Sequence, residues 1–305
     1  MPRRIAILHS GRAGGHGNNH HIQKFRDGAA LSYDGSGGTL TFTNHWGNDD
    51  PSVLTQLAQA LAGDLNVYLI AAAGGTRAAE AAAAATNPPG TKPVVFTSVS
   101  TPNRKYANMT GVCARTSLLD PERLKLLYQI KPAGQRFGAL INADRANVIS
   151  GEVQDALNNT AASFGYPPPD YKSVRYSTFT SDLNTAFQYW STQTYAGVIV
   201  TADPLFQDHA DEIIDMANNT YPLPTIYQWR DFTESNGLIS LGPNLTTCYA
   251  LAGYYAGKIA SGATQPQTLP ILSPAYEVVA NLSTAKALSL SIPAQVLNQA
   301  ADVIT

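Results

Sequence analysis

The sequence predicts an α/β protein of two similar halves, each a mostly parallel sheet flanked by helices, and three observations carry that reading. Short β-branched runs alternate with helical patterns almost from end to end, which is the signature of βαβ units. Helix starts recur as an Asp followed by Pro, at Asp50-Pro51, Asp120-Pro121 and Asp203-Pro204, where the acid caps and the ring presets the first helical residue. Of the 305 residues, 44% are hydrophobic and only 14% charged, which excludes a disordered chain or a coiled coil.

In chain order, the first series of strands is read at Arg4–Leu8, Leu40–Thr43, Val67–Ala71 and Val94–Ser98. The tract Ala78 to Ala85 is strong helix former between the last two. Ser100 to Leu119 holds turn residues and little periodicity, and is read as the crossing between halves. The second series is Phe137–Ile141, Ser173–Ser177, Gly197–Val200, Thr225–Trp229 and Leu238–Leu241. An amphipathic helix follows around Tyr249 to Ile259, then a Gly/Pro/Gln/Thr-rich connector at Ser261 to Pro270. A chain that crosses more than once leaves both lobes discontinuous. The expected division is 1–113 with about 242–268 in lobe 1, and 114–241 with about 269–305 in lobe 2.

A formal charge of -2 and a pI near 6.3 offer no basic footprint, so nucleic acid is not an expected partner. The two cysteines, Cys113 and Cys248, have no metal-ligand spacing, and a single bridge between them stays open. The apolar run Ile5 to Leu8 is too short for a membrane span or a signal-peptide core. Either the protein is cytosolic or a leader has been removed.

In open α/β sheets, ligands sit beyond the carboxyl ends of the strands, where helix N-termini offer unpaired amides. In the first half that rule selects Ser10 with His9 and Gly11, then Gly75 and Thr76 with Gly74, then Ser98 and Ser100. Their hydroxyls and amides suit a carboxylate. In the second half it selects Asn142, Asn147, Asp203, Tyr227 and Trp229. Asp203 suits an amine, and the aromatics suit a planar or apolar ligand part. An amino acid or similar zwitterion satisfies both sets. Each residue also has a plainer reading: Asp203 as the cap before Pro204, Tyr227 and Trp229 as core, and the glycine turn as a packing device.

Other chemistries lack their patterns. Gly74-Gly75-Thr76 has neither the third glycine of a dinucleotide fingerprint nor a P-loop ending, so no nucleotide cofactor is expected. No G-x-S-x-G elbow or HExxH spacing is present. His16, His20 and His21 cluster in a glycine-rich stretch without an acidic or Cys partner before Asp27, and are read as a solvated loop with no metal. His20 or His21 could reach over a ligand as part of a lid.

The chain from Val67 onward resembles a known family, the ABC-transporter substrate-binding proteins that include aromatic-amino-acid binders. The resemblance rests on Ala202-Asp203-Pro204-Leu205-Phe206, Leu223-Pro224-Thr225-Ile226-Tyr227 and Gly237-Leu238-Ile239-Ser240-Leu241-Gly242-Pro243. Ala256-Gly257-Lys258-Ile259, Asn281-Leu282-Ser283-Thr284-Ala285-Lys286-Ala287-Leu288 and Ile292-Pro293 follow in the family's order. Upstream, Gly74-Gly75-Thr76-Arg77, Pro93-Val94-Val95-Phe96 and Met109-Thr110-Gly111 are similar to its first-lobe pattern. Gly11 to Trp46 departs from that pattern, as does Thr101-Pro102, where relatives often carry Asp before the Pro.

The resemblance implies a type I periplasmic binding protein (Venus-flytrap) fold, two Rossmann-like lobes joined by hinge strands that close on a small molecule. It also implies a monomeric non-enzyme without cofactor, exported to the periplasm or another extracytoplasmic space with its leader removed, and partnered by an ABC permease. Two rivals carry their own tests. The effector-binding domain of a transcription regulator calls for an N-terminal helix-turn-helix, and here the first strand begins at Arg4. A nucleotide-dependent or hydrolytic enzyme calls for a convergent base and nucleophile.

Overall fold

The structure, a computed structural model, describes residues 2–87, 92–100, 108–130, 136–144 and 151–305, the side chains of 117, 151 and 152 excepted. Asn147 and the Thr101-Pro102 pair lie outside the described residues. The strands are β1 (Arg3–His9), β2 (Leu40–Trp46), β3 (Val67–Ala73), β4 (Val94–Val99), β5 (Met109–Cys113), β6 (Arg136–Asn142), β7 (Asp170–Val174), β8 (Tyr195–Val200), β9 (Thr225–Tyr227), β10 (Ile239–Pro243), β11 (Tyr276–Asn281) and β12 (Ala300–Ile304). The helices are α1 (Asn18–Ser32), α2 (Pro51–Gly63), α3 (Thr76–Ala85), α4 (Asp120–Ile130), α5 (Gly151–Ser163), α6 (Phe179–Ser191), α7 (Pro204–Asp208), α8 (Ala210–Asp215), α9 (Arg230–Glu234), α10 (Leu245–Ala260), α11 (Leu282–Ala287) and α12 (Ala294–Leu297). The chain divides into two compact units, Met1–Arg115 with Asn244–Ala275 and Thr116–Pro243 with Tyr276–Thr305.

The first unit is a five-stranded parallel sheet in the order β2-β1-β3-β4-β5. Alternation along β1 divides its side chains between two cores. Ile5 and Ile7 pack with Phe25 of α1 and with Tyr249, Ala252 and Ile259 of α10. Ala6 and Leu8 pack with Leu54 and Ala58 of α2 and Ala82 of α3. A strand covered on both faces needs an unbroken apolar run, which is why Ile5 to Leu8 has no polar interruption. Full burial of each Ile or Leu there contributes about 1.5–3 kcal/mol.

The second unit is a seven-stranded sheet in the order β12-β11-β10-β9-β8-β6-β7. It is parallel except where β11 returns antiparallel to β10. Leu124 and Leu127 of α4 and Leu157 of α5 cover one face over Ile199, Ile226 and Ile239.

Two of the Asp-Pro starts cap as expected: Asp50 accepts from the Ser52 and Val53 amides, and Asp203 from Leu205. Asp120 instead begins α4 with its carboxylate bonded to Arg123. Three strands were not anticipated. Strand β5 lies inside the stretch read as a crossing, because Thr110 and Gly111 break its apolar pattern although all five residues are buried. Strands β11 and β12 lie in the C-terminal segment beyond the last strand expected from the sequence. Strand β7 begins three residues before the sequence reading and ends at Val174; Asp170 to Lys172 are half-buried at the sheet's edge, where polar residues are tolerated. Strand β9 stops at Tyr227, so Trp229 lies beyond the strand as the residue before α9.

The return to the second unit falls at Ala275/Tyr276. Residues 269–275 stay with the first unit because they bond along β5: Cys113 N donates to Leu272 O at 2.7 Å, Leu272 N to Gly111 O at 3.0 Å, and Thr110 Oγ1 to Leu269 O at 3.1 Å. Among the described residues no helix is long and apolar enough to cross a membrane.

Candidate functional site

In the first unit, the carboxyl ends of β1, β3 and β4 bring a set of hydroxyls and one histidine together. The Gly11 amide donates to His9 Nδ1 at 2.9 Å, which leaves the ring proton on Nε2. That nitrogen lies 3.1 Å from the Tyr249 hydroxyl, which also accepts from the Gly74 amide at 3.2 Å. Burial, with His21 nearby, lowers the His9 pKa to about 3, so the imidazole is neutral. Tyr249 was not anticipated as part of this edge, since its contact with His9 spans 240 positions of sequence.

Ser10 donates to the Gly74 carbonyl at 2.6 Å. Gly74 has φ +78°, and a Cβ there would stand 2.5 Å from Ser10 Oγ, so the turn requires glycine. Gly75 follows as the residue before α3 with its own left-handed φ. Thr76 Oγ1 accepts from the Ser100 amide at 3.1 Å and lies 3.0 Å from Ser100 Oγ, which joins the ends of β3 and β4. Ser98 holds φ 60°, a strained conformation for a residue with a Cβ, where the β4–β5 register shifts. Its hydroxyl bonds with that of Thr97 at 3.1 Å and reaches the Cys248 sulfur. Cys113 and Cys248 are both free and buried, and burial pushes the Cys248 thiol up to about 12.

The histidine-rich stretch differs from its sequence reading. Helix α1 already begins at Asn18, so His20 and His21 are helical, and His21 is buried with its ring stacked on Tyr249 at 5.1 Å. The loop reading holds for His16, in the turn before α1, but not for His20 and His21. Of the two lid candidates, His20 is exposed on the helix, and stacking on Tyr249 holds the His21 imidazole in the core rather than over a ligand. The described residues contain no group of three or more metal-ligating side chains.

In the second unit, Asn142 ends β6 and donates from Nδ2 to Asp203 Oδ1 at 3.0 Å. The same oxygen accepts the Leu205 amide at 2.9 Å, and Asn142 Oδ1 accepts the Asp144 amide at 2.9 Å. Both side chains are buried. Asp203 thus caps α7 and presents a carboxylate at the ends of neighbouring strands. Tyr227 is fully buried and stacks on Phe232 at 4.8 Å, and burial raises its phenol pKa well above the usual range. Trp229 is buried directly before α9. Tyr227 and Trp229 do not share a strand face, because the strand ends at Tyr227 instead of running on to Trp229.

The family model described as ABC transporter substrate binding protein matches residues 33–304. No curated protein matches the chain. Among solved structures, the ABC domain from Streptococcus pneumonia in complex with L-Trp is 18% identical, with 100% of each chain covered and a TM-score of 0.80. A conserved domain protein from Vibrio cholerae O1 biovar El Tor is 20% identical over 99% of each chain, at 0.75. The Caulobacter myo-inositol binding protein, bound to myo-inositol, is 12% identical over 94% of this chain and 95% of its own, at 0.64. These likenesses show a type I periplasmic binding protein fold of two parallel-sheet lobes.

Proposed function

The chain belongs to the family of ABC transporter substrate-binding proteins, which are binding proteins and not enzymes, and from that premise we propose that its solute is an amino acid or a related aromatic or carboxylate zwitterion. The reading rests above all on Asp203. Its carboxylate is buried and held by a backbone amide and by Asn142, an arrangement suited to an ammonium group. In the other unit the Thr76, Ser98 and Ser100 hydroxyls stand at strand ends beside the turn that opens α3, which suits a carboxylate. Ser10, Gly75 and Trp229 belong to the same proposed set.

The mechanism proposed is ligand-linked closure, in which the solute shifts the population by its differential affinity for the closed state. An ABC permease then receives it outside the cytoplasm, with the binding protein acting as an exported monomer. A thermal-shift screen against amino acids, aromatic acids, nucleosides and sugars tests the reading. Stabilisation follows RT ln(1 + [L]/Kd), about 2.7 kcal/mol at a hundredfold excess over Kd. A rise confined to zwitterionic amino acids supports it, and a rise confined to sugars or nucleosides overturns it.

A further inference from the structure

One polar side chain at the same edge of the second unit stands apart from the contacts described above. Gln228 follows the last residue of β9, and β9 lies between β8 and β10 in the sheet. Ile199 pairs with Ile226 across β8 and β9, which brings Gln228 level with Thr201, two residues before Asp203. The buried Ser240 and Thr233 hydroxyls nearby are also unpaired, but Thr201 and Asn142, the strand-end residues beside Gln228, are engaged. Thr201 Oγ1 donates to Leu140 O at 2.8 Å, and both polar atoms of Asn142 are bonded. Gln228 is fully buried, yet neither its Nε2 nor its Oε1 has a hydrogen-bond partner among the described residues.

A buried carboxamide with both atoms unpaired by the protein is a condition native structures rarely keep without use. The backbone cannot move toward β10 to relieve it. A Cβ on Gly242 would meet the Gln228 carbonyl at 1.9 Å, so glycine there already permits the closest approach.

We propose that Gln228 is a specificity residue for the solute, its carboxamide completed by a neutral solute group that both donates and accepts a hydrogen bond. This rests on the amino-acid reading of the same edge. Asp203 addresses positive charge, whereas an uncharged side chain with one donor end and one acceptor end addresses a hydroxyl or carboxamide. A site built around such a side chain rejects the analogue that lacks the group, because the protein's own polar atoms are then left unpaired. The preferred solute therefore carries a hydroxyl or carboxamide in its side chain.

The test uses the full chain and two matched pairs of probes, L-tyrosine with L-phenylalanine and L-glutamine with L-methionine, measured by thermal shift and calorimetry. The expected result is at least a tenfold preference for the polar member of one pair. The near-isosteric Gln228→Met is expected to melt higher than the wild type without ligand and to lose that preference. Equal affinity within both pairs, a preference that survives in Gln228→Met, or a ligand-free Gln228→Met that melts lower or fails to fold would overturn the role of Gln228 alone. A wild-type protein stabilised by none of the four probes, but by a sugar or nucleoside, would remove the amino-acid reading and this inference with it.

Discussion

Arg123 donates from Nε to the carbonyl of Leu241 at 2.8 Å, so a fully buried guanidinium in α4 is tied to the end of β10, 118 positions away. The same side chain bonds Asp120 and the Thr116 carbonyl, and Asp120 is buried with it. Arg123 thereby ties the start of α4 to β10, while the same helix also packs against β9 and β8, the next two strands in the sheet.

Removing one partner of a buried pair leaves the other charge uncompensated, which costs about 3–5 kcal/mol. Arg123→Ala is therefore expected to lower stability by that amount in urea denaturation. An unchanged midpoint would show that Asp120 and the two carbonyls find other partners.

His9 makes stability depend on acid. Its folded pKa is lowered to about 3 from an unfolded 6.5, so between those values the unfolded chain binds a proton that the folded chain refuses. The stabilisation is complete above pH 6.5 and is lost as pH falls toward 3, at up to about 1.4 kcal/mol per pH unit. His9→Gln is expected to flatten the stability-against-pH curve between pH 6.5 and 4 relative to the wild type. Parallel curves for the two proteins would refute the assignment.

Asp203 has two roles that two substitutions separate. Asn caps a helix about as well as Asp, so Asp203→Asn should keep the melting temperature, while Asp203→Ala should lose about 1 kcal/mol of stability. If the carboxylate also meets an ammonium, both variants should weaken an amine-bearing ligand by more than tenfold, since charge-assisted hydrogen bonds contribute roughly 1.5–3 kcal/mol. Calorimetry that finds Asp203→Asn binding unchanged would leave Asp203 as a cap only.

Thr76 offers a parallel test in the other unit. Thr76→Val deletes the oxygen that accepts from the Ser100 amide and should reduce stability by about 0.5–1.5 kcal/mol. Affinity for a carboxylate ligand should fall while affinity for its methyl ester stays level. An equal loss for acid and ester would place Thr76 outside carboxylate recognition.

The legible parts of the molecule were those with local causes. The Asp50 cap is bonded to Ser52 and Val53, two and three residues away, so the whole device is contained in adjacent sequence. The buried strands β1 and β3 were equally plain, because burial on both faces demands an uninterrupted apolar run. Strand β7, at the sheet's edge, shows the limit: its half-buried polar residues blur the pattern. Strand β5 shows another, since Thr110 and Gly111 sit inside a fully buried strand whose partner, β4, supplies the pairing that local pattern cannot.

The site divides in the same way. That Ser10, Thr76, Ser98, Ser100, Asn142 and Asp203 stand at strand ends follows from the alternation of strands and helices in the sequence alone. Their use of one another does not. The pairing of Asn142 with Asp203 spans 61 positions, and that of Thr76 with Ser100 spans 24. Tyr249 beneath His9, and the unpaired carboxamide of Gln228, depend on which strands become neighbours. The α/β class, the caps and the positions that reach the carboxyl edge are legible in the residues alone, because they depend on spacing and local hydrogen bonds. Which side chains meet at that edge is settled by folding, because strand order and burial set those distances and no short-range pattern encodes them.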